Sequence, residues 1–172
     1  MPAEGLDWVP RDELLTFEEI ERVARLSVEQ FGIESIRITG GEPTVRARLP
    51  VLIKKLAQLP VDLSMTTNGA TLRVLSQDLV SAGLKRINIS LDSLQSERFT
   101  ELTLRDNLPQ VLDGIEAAVE SGLDPVKVNV VVMAGVNDDE VIDFARFGRE
   151  RGVIVRFIEF MPLDASEGWT KN

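Results

Sequence analysis

One arrangement occurs four times along this chain and limits what it can fold into. A helical stretch ends in glycine, an apolar residue follows, and a Val- and Ile-rich run begins soon after. The copies are "FGIESIRIT" at Gly32, "AGLKRINIS" at Gly83, "SGLDPVKVNVVV" at Gly122 and "RGVIVRFIEF" at Gly152. Glycine after a helix takes the left-handed conformation that closes the last turn. The repeating unit is therefore helix, cap, buried strand.

The helices follow from apolar spacing. Thr16 and Glu19 form a capping box, and Ile20, Val23, Ala24 and Phe31 follow at helical intervals. A second helix carries Leu49, Leu52, Ile53 and Leu56 and stops near Pro60. A third carries Leu72, Leu75, Leu79 and Ala82. A fourth carries Val111, Leu112, Ile115, Ala118 and Val119. The last starts after Asp138 or Asp139 and carries Val141, Ile142 and Ala145. A short helix is expected after Ser93. Five strands lie between them, at about 34–39, 62–67, 86–91, 126–133 and 154–160. Short strands separated by helices imply parallel β/α units with right-handed crossovers. Strand starts recur every ~25–40 residues, which suits a (β/α) barrel or a doubly wound sheet. No linker, low-complexity run or second domain interrupts the pattern, so residues 1–172 read as one domain. The polar tail from Asp164 to Asn172 looks like chain cut before its next element.

Composition removes whole classes of chemistry. The 172 residues contain no Cys, His or Tyr. That excludes disulfides, thiolate and imidazole metal ligands, Cys nucleophiles and His bases from this chain. Catalysis by these residues alone would fall to Asp, Glu, Lys, Arg, Ser or Thr. The net charge of −9 argues against nucleic acid as a partner. No apolar run of about 18 residues is present to span a membrane. "MPAEGLDWVP" lacks the basic start of a signal peptide, so the expected location is cytoplasmic.

In parallel β/α folds, ligands bind at the C-terminal ends of the strands. Those ends read "TGGEP", "TTNG", "SLDS", "MAGVND" and "IEFMP". Turn formers and helix caps would account for any one of them. The strands carry a second signal. Parallel strands are usually apolar on both faces. Here alternate positions are polar: Arg37 and Thr39; Ser64, Thr66 and Asn68; Asn88, Ser90 and Asp92; Lys127 and Asn129; Arg156. Period 2 puts each set on one face. Two readings stand open. Arg37, Lys127 and Arg156 pair with Asp92, Glu42 or Glu159, or they leave a positive pocket for an anion. Gly40 and Gly41 let backbone lie directly against a ligand, Pro43 stiffens the turn, and Glu42 offers a carboxylate suited to an ammonium group.

With these features assembled, "RITGGEPTVR", "TTNG", "INISLDSL", "VKVNVVVMAGVNDDE" and "RFIEFMP" resemble the radical S-adenosylmethionine (SAM) superfamily, and within it the GTP 3′,8-cyclase family of molybdenum cofactor biosynthesis. The likeness covers nearly the whole chain. It implies a partial parallel (β/α) barrel and a lyase that converts GTP to (8S)-3′,8-cyclo-7,8-dihydroguanosine 5′-triphosphate after an iron–sulfur cluster cleaves SAM. It places Gly41 at a SAM-binding position, with Gly40, Glu42 and Pro43 shaping the site, and Ser90 and Met161 at further SAM positions. Arg37, Thr66 and Lys127 match GTP-binding positions, and Arg156 belongs to the same pocket. The family's Cys-x3-Cys-x2-Cys loop would lie just before the stretch matching "MPAEGLDW", and its C-terminal part, with a second [4Fe-4S] cluster, after Asn172. The expectation is an internal fragment, inactive alone. Ser35 and Ala134 stand where Lys and Arg are expected.

Two other readings compete. One is a cluster-free module that binds SAM or a nucleotide without catalysis. The other is a (β/α) enzyme of different class, acting on a phosphorylated substrate through Lys127 and Glu159. The expected partners are small molecules, and a homodimer is left open.

Overall fold

The computed structural model describes Pro10 and residues 13–161. "MPAEGLDW", Pro162 and the Asp164–Asn172 tail lie outside the described residues. The described chain alternates helix and strand throughout. In order it runs α1 (Phe17–Phe31), β1 (Ser35–Ile38), α2 (Leu49–Leu56), β2 (Asp62–Thr67), α3 (Leu72–Ser81), β3 (Arg86–Ser90), α4 (Ser96–Thr103), α5 (Leu108–Glu120), β4 (Val126–Val132), α6 (Val141–Arg151) and β5 (Ile154–Glu159). The five strands form one parallel sheet in the order β1-β2-β3-β4-β5. Consecutive order with helical crossovers is the layout of an open segment of a (β/α) barrel. Among the described residues no helix is long and apolar enough to cross a membrane.

The punctuation read from the sequence has its predicted geometry. Thr16 and Glu19 form the reciprocal capping box, and Gly32 closes α1 at φ 64°. Gly152 closes α6 at φ 67°. The short helix after Ser93 is α4.

Alternation divides the sheet into two unlike faces. Leu63, Met65, Ile87, Ile89, Val126, Val128 and Val130 are buried and pack with Leu52, Ile53 and Leu56 of α2, Leu72 and Leu79 of α3, and Val111, Ile115 and Ala118 of α5. The intervening residues, from Arg37 to Arg156, lie on the opposite face. All the apolar burial is thus on the helical side, as a barrel wall requires.

Two helical faces differ from the expected ones. On α1, Phe17, Ile20, Ala24 and Val28 make the contact with the core, while Val23 is 56% and Phe31 81% exposed. Val23 is rotated off that stripe at ~100° per residue. Phe31 overhangs at the helix end, where none of the described chain covers it. On α6, Phe144 and Gly148 are buried, and Ile142 and Ala145 are exposed. A Cβ on Gly148 would lie 2.8 Å from Val155 Cγ2 and 3.1 Å from the Val153 carbonyl oxygen. That face combines the apolar Phe144 with the close approach that Gly148 allows.

Candidate functional site

The loop after β1 is built around one carboxylate. Gly40 has φ 152°, and a Cβ there would meet nothing within 4 Å. Glu42 then caps a 3-10 turn, Pro43–Val45. Its Oε1 accepts from Thr44 N (3.0 Å), Thr44 Oγ1 (2.7 Å) and Thr67 Oγ1 (2.7 Å), and Oε2 accepts from Asn68 N (2.7 Å). "GGEP" and "TTNG", the ends of β1 and β2, are therefore tied by one side chain. A carboxylate has about four acceptor positions. Glu42 spends most of its own on this clamp, and Oε2 alone keeps room for another donor. Its first task is to hold the loop rather than to wait free for an ammonium group.

The ends of β3 and β4 are knit in a similar way. Asn137 is buried. Its Nδ2 donates to the Asp92 and Val131 carbonyls at 2.8 and 2.9 Å, and its Oδ1 accepts from Met133 N at 2.7 Å. Glu140, also buried, accepts from Ser93 Oγ at 2.8 Å and Leu94 N at 2.7 Å and pairs with Arg98. Burial raises the Asp92 pKa above its ordinary value, and a bond from Val131 N partly opposes that rise. "SLDS" and "MAGVND" are thus largely scaffolding. Ser90, by contrast, is exposed at the end of β3, as is Met161 beyond β5.

Below this edge the polar face closes around a cavity of about 30 Å³, lined by Arg37, Ser64, Arg86, Asn88, Lys127 and Arg156 among others. The register brings them together. Arg37 faces Ser64, Ser64 faces Arg86, Asn88 faces both Thr66 and Lys127, and Asn129 faces Arg156. Among the described residues no carboxylate pairs with Arg37, Lys127 or Arg156. The acids offered as partners are placed elsewhere: Glu42 in its clamp, Asp92 on Val131 N, and Glu159 exposed at the end of β5. A buried Asn129 oxygen on this face also lacks a partner. Ser90, level with Asn129, sits about 7 Å farther along the strands than Lys127, at ~3.3 Å per residue. The site is layered, with an exposed glycine- and serine-bearing edge above a basic floor.

Residues 6–148 match the sequence pattern of the radical SAM superfamily. The chain belongs to that superfamily. Its curated relatives include GTP 3′,8-cyclases of Rhodopirellula baltica (47% identical, covering 98% of this chain and 48% of that protein), Alkaliphilus metalliredigens (45%, 100% and 54%) and Paenarthrobacter nicotinovorans (48%, 100% and 49%). The chain spans about half the length of these relatives. Among solved structures, Streptococcus suis SuiB bound to S-adenosylmethionine superposes with a TM-score of 0.75 at 20% identity, covering 92% of this chain and 37% of SuiB. Methylornithine synthase superposes at 0.64 and 19%, covering 86% and 45%. These likenesses bear on the fold, a partial parallel (β/α) barrel of radical SAM type.

The radical SAM family implies SAM and an iron–sulfur cluster, and the two fare differently here. The exposed glycine edge can take a small ligand against its backbone. A cluster needs thiolates, and none of the 172 residues is Cys, so these residues do not fit one. Arg86 escaped the sequence reading. It sits two residues before Asn88 and four before Ser90, so the same alternation that marked those two points to it.

Proposed function

We propose that this chain forms the SAM- and GTP-binding β/α portion of a GTP 3′,8-cyclase of molybdenum cofactor biosynthesis, and that alone it binds ligand without turning it over. The observation that carries the reading is the set of cations without carboxylate partners, Arg37, Lys127 and Arg156, on the sheet's polar face. Lys127 is half-buried, where a charge is costly without a counterion, and Arg37 and Arg156 are exposed on the same face; a triphosphate supplies counterions to all three. Relatives 45–48% identical over nearly all of this chain are GTP 3′,8-cyclases, which favours GTP among triphosphates.

In this reading Arg37, Thr66, Lys127 and Arg156 hold GTP. The small cavity takes phosphate oxygens, while the nucleoside lies over the open polar face. Gly40, Gly41, Ser90 and Met161 hold SAM, with Pro43 fixing the loop and Glu42 clamping it. Glu42 Oε2 has one acceptor position left for the SAM ammonium. SAM, when bound beside a reduced cluster, supplies the hydrogen-abstracting chemistry, and the thiolates for that cluster lie outside these residues. The reading carries a cytoplasmic location with it, where GTP and SAM are both available.

A SAM- or nucleotide-binding module without catalysis is the second reading, favoured by the absence of any Cys. Calorimetric titration of the chain with GTP and with SAM, beside anaerobic incubation with iron, sulfide and reductant, tests both. Binding of both ligands without 5′-deoxyadenosine supports the proposal. Binding of neither contradicts it, and 5′-deoxyadenosine above a protein-free control contradicts the claim of inactivity.

A further inference from the structure

The basic floor holds a fourth cation. Arg86 opens β3, lies across Ser64 from Arg37 in the sheet register, and lines the same cavity as Lys127 and Arg156. Two strand spacings, about 10 Å, separate the Arg37 and Arg86 backbones, a gap that two arginine side chains bridge around one phosphate.

The Arg86 guanidinium is only partly used. Asp62, at the start of β2, pairs with Nη2, while Nε is buried without a hydrogen-bond partner. An unsatisfied buried donor is costly. A phosphate presents two oxygens to the Nε–Nη2 fork and satisfies both donors at once. The side chains of Arg86 and Asp62 are 32% and 49% exposed, so water competes with the pair and it contributes little to folding.

We infer that Asp62 and Arg86 form an exchangeable latch. Resting on the triphosphate reading above, an incoming phosphate takes Arg86 from Asp62. Arg86 then becomes a fourth anion-binding group of the floor, and Asp62 competes with the ligand for it. The latch also keeps the floor from gathering four unpaired cations while it is empty.

The test is titration of the chain with inorganic tripolyphosphate and with GTP, comparing Asp62→Asn, Arg86→Ala, Lys127→Ala and the double variant Asp62→Asn/Arg86→Ala. Asp62→Asn tightens binding roughly 3- to 5-fold, the upper end for a partly exposed ion pair. Arg86→Ala weakens it by at least about tenfold, the scale of a charged hydrogen bond. The double variant binds like Arg86→Ala, because the competitor matters only while Arg86 is present. SAM affinity stays constant throughout. A purely structural pair would never tighten binding when Asp62 is lost. If Lys127→Ala weakens binding while Asp62→Asn does not tighten it, the latch is overturned and the triphosphate reading stands. If the unaltered chain binds neither probe, both are overturned.

Discussion

Thr67, at the end of β2, donates its hydroxyl to Glu42 Oε1 at 2.7 Å, joining two strand ends 25 residues apart in the chain. Thr67 Oγ1 also accepts from Gly69 N at 3.1 Å. The relay runs from the Thr-Asn-Gly turn to the Gly-Gly-Glu-Pro loop, so the two loops hold one shape together.

Breaking this relay lowers stability before it touches chemistry. Glu42→Ala costs about 1.5–3 kcal/mol, the range for hydrogen bonds to a charged group. Thr67→Val costs less, because Thr44 and Asn68 still hold the carboxylate. A double-mutant cycle by urea denaturation gives a coupling of roughly 0.5–3 kcal/mol for groups in direct contact. Strictly additive losses would show that the clamp carries no energy.

Gly114 of α5 lies directly under the same turn. A Cβ there would fall 2.1 Å from the Gly69 carbonyl oxygen and 3.3 Å from Leu72 Cβ. Backbone cannot yield as a flexible side chain can, so Gly114→Ala pushes α5 away from the Thr66–Gly69 turn. The expected loss is about 1–3 kcal/mol, typical of overpacking, read as a lower urea midpoint. An unchanged midpoint would mean that α5 is not seated on the turn.

Asp92 makes stability depend on pH in an unusual direction. Burial raises its pKa above the ordinary 3.8, so the folded chain holds that proton more tightly than the unfolded chain. Its contribution is fully favourable below 3.8 and is lost as pH rises through the raised folded value. Asp92→Asn removes the titration and still offers an oxygen to Val131 N. The variant is therefore at least as stable as the parent near pH 7, and the difference shrinks towards about pH 3. Urea melts at both pH values check this. A variant less stable near pH 7 would show that the carboxylate is stabilised by its surroundings.

Much of the fold was legible because its signals are local. Thr16 and Glu19 are three residues apart, Gly32 and Gly152 follow their helices directly, and strand alternation needs only near neighbours. Those signals located all five strands to within about a residue at either end and marked the polar face. What the sequence hid depends on partners brought together by folding. The Glu42 clamp needs β1 paired with β2, and no spacing rule links Glu42 to Thr67. The buried face of α6 joins Phe144 to Gly148, and an apolar count passes over the glycine. Val23 and Phe31 read as core because periodicity shows a stripe and not what covers it.

Those residues carry a prediction about association. Among the described residues β1 pairs only with β2, and Val23, Leu26, Phe31 and Ile33 are exposed on and just after the helix that leads into it. An open strand edge beside apolar surface favours self-association. Size-exclusion chromatography at micromolar concentration should show species larger than a monomer, and Phe31→Lys should reduce them. A sharp monomer peak without dye binding would show that this edge needs no cover.

The most direct test of the central claim is Lys127→Ala, titrated with GTP and with SAM beside a thermal melt of the unliganded chain. Lys127 lies on a Val-rich strand with no acid paired to it among the described residues. The account predicts that GTP binding weakens by roughly 1.5–3 kcal/mol, that SAM binding is unchanged, and that the melting temperature holds or rises. A lower melting temperature with normal GTP affinity would make Lys127 a structural ion-pair residue and contradict the account.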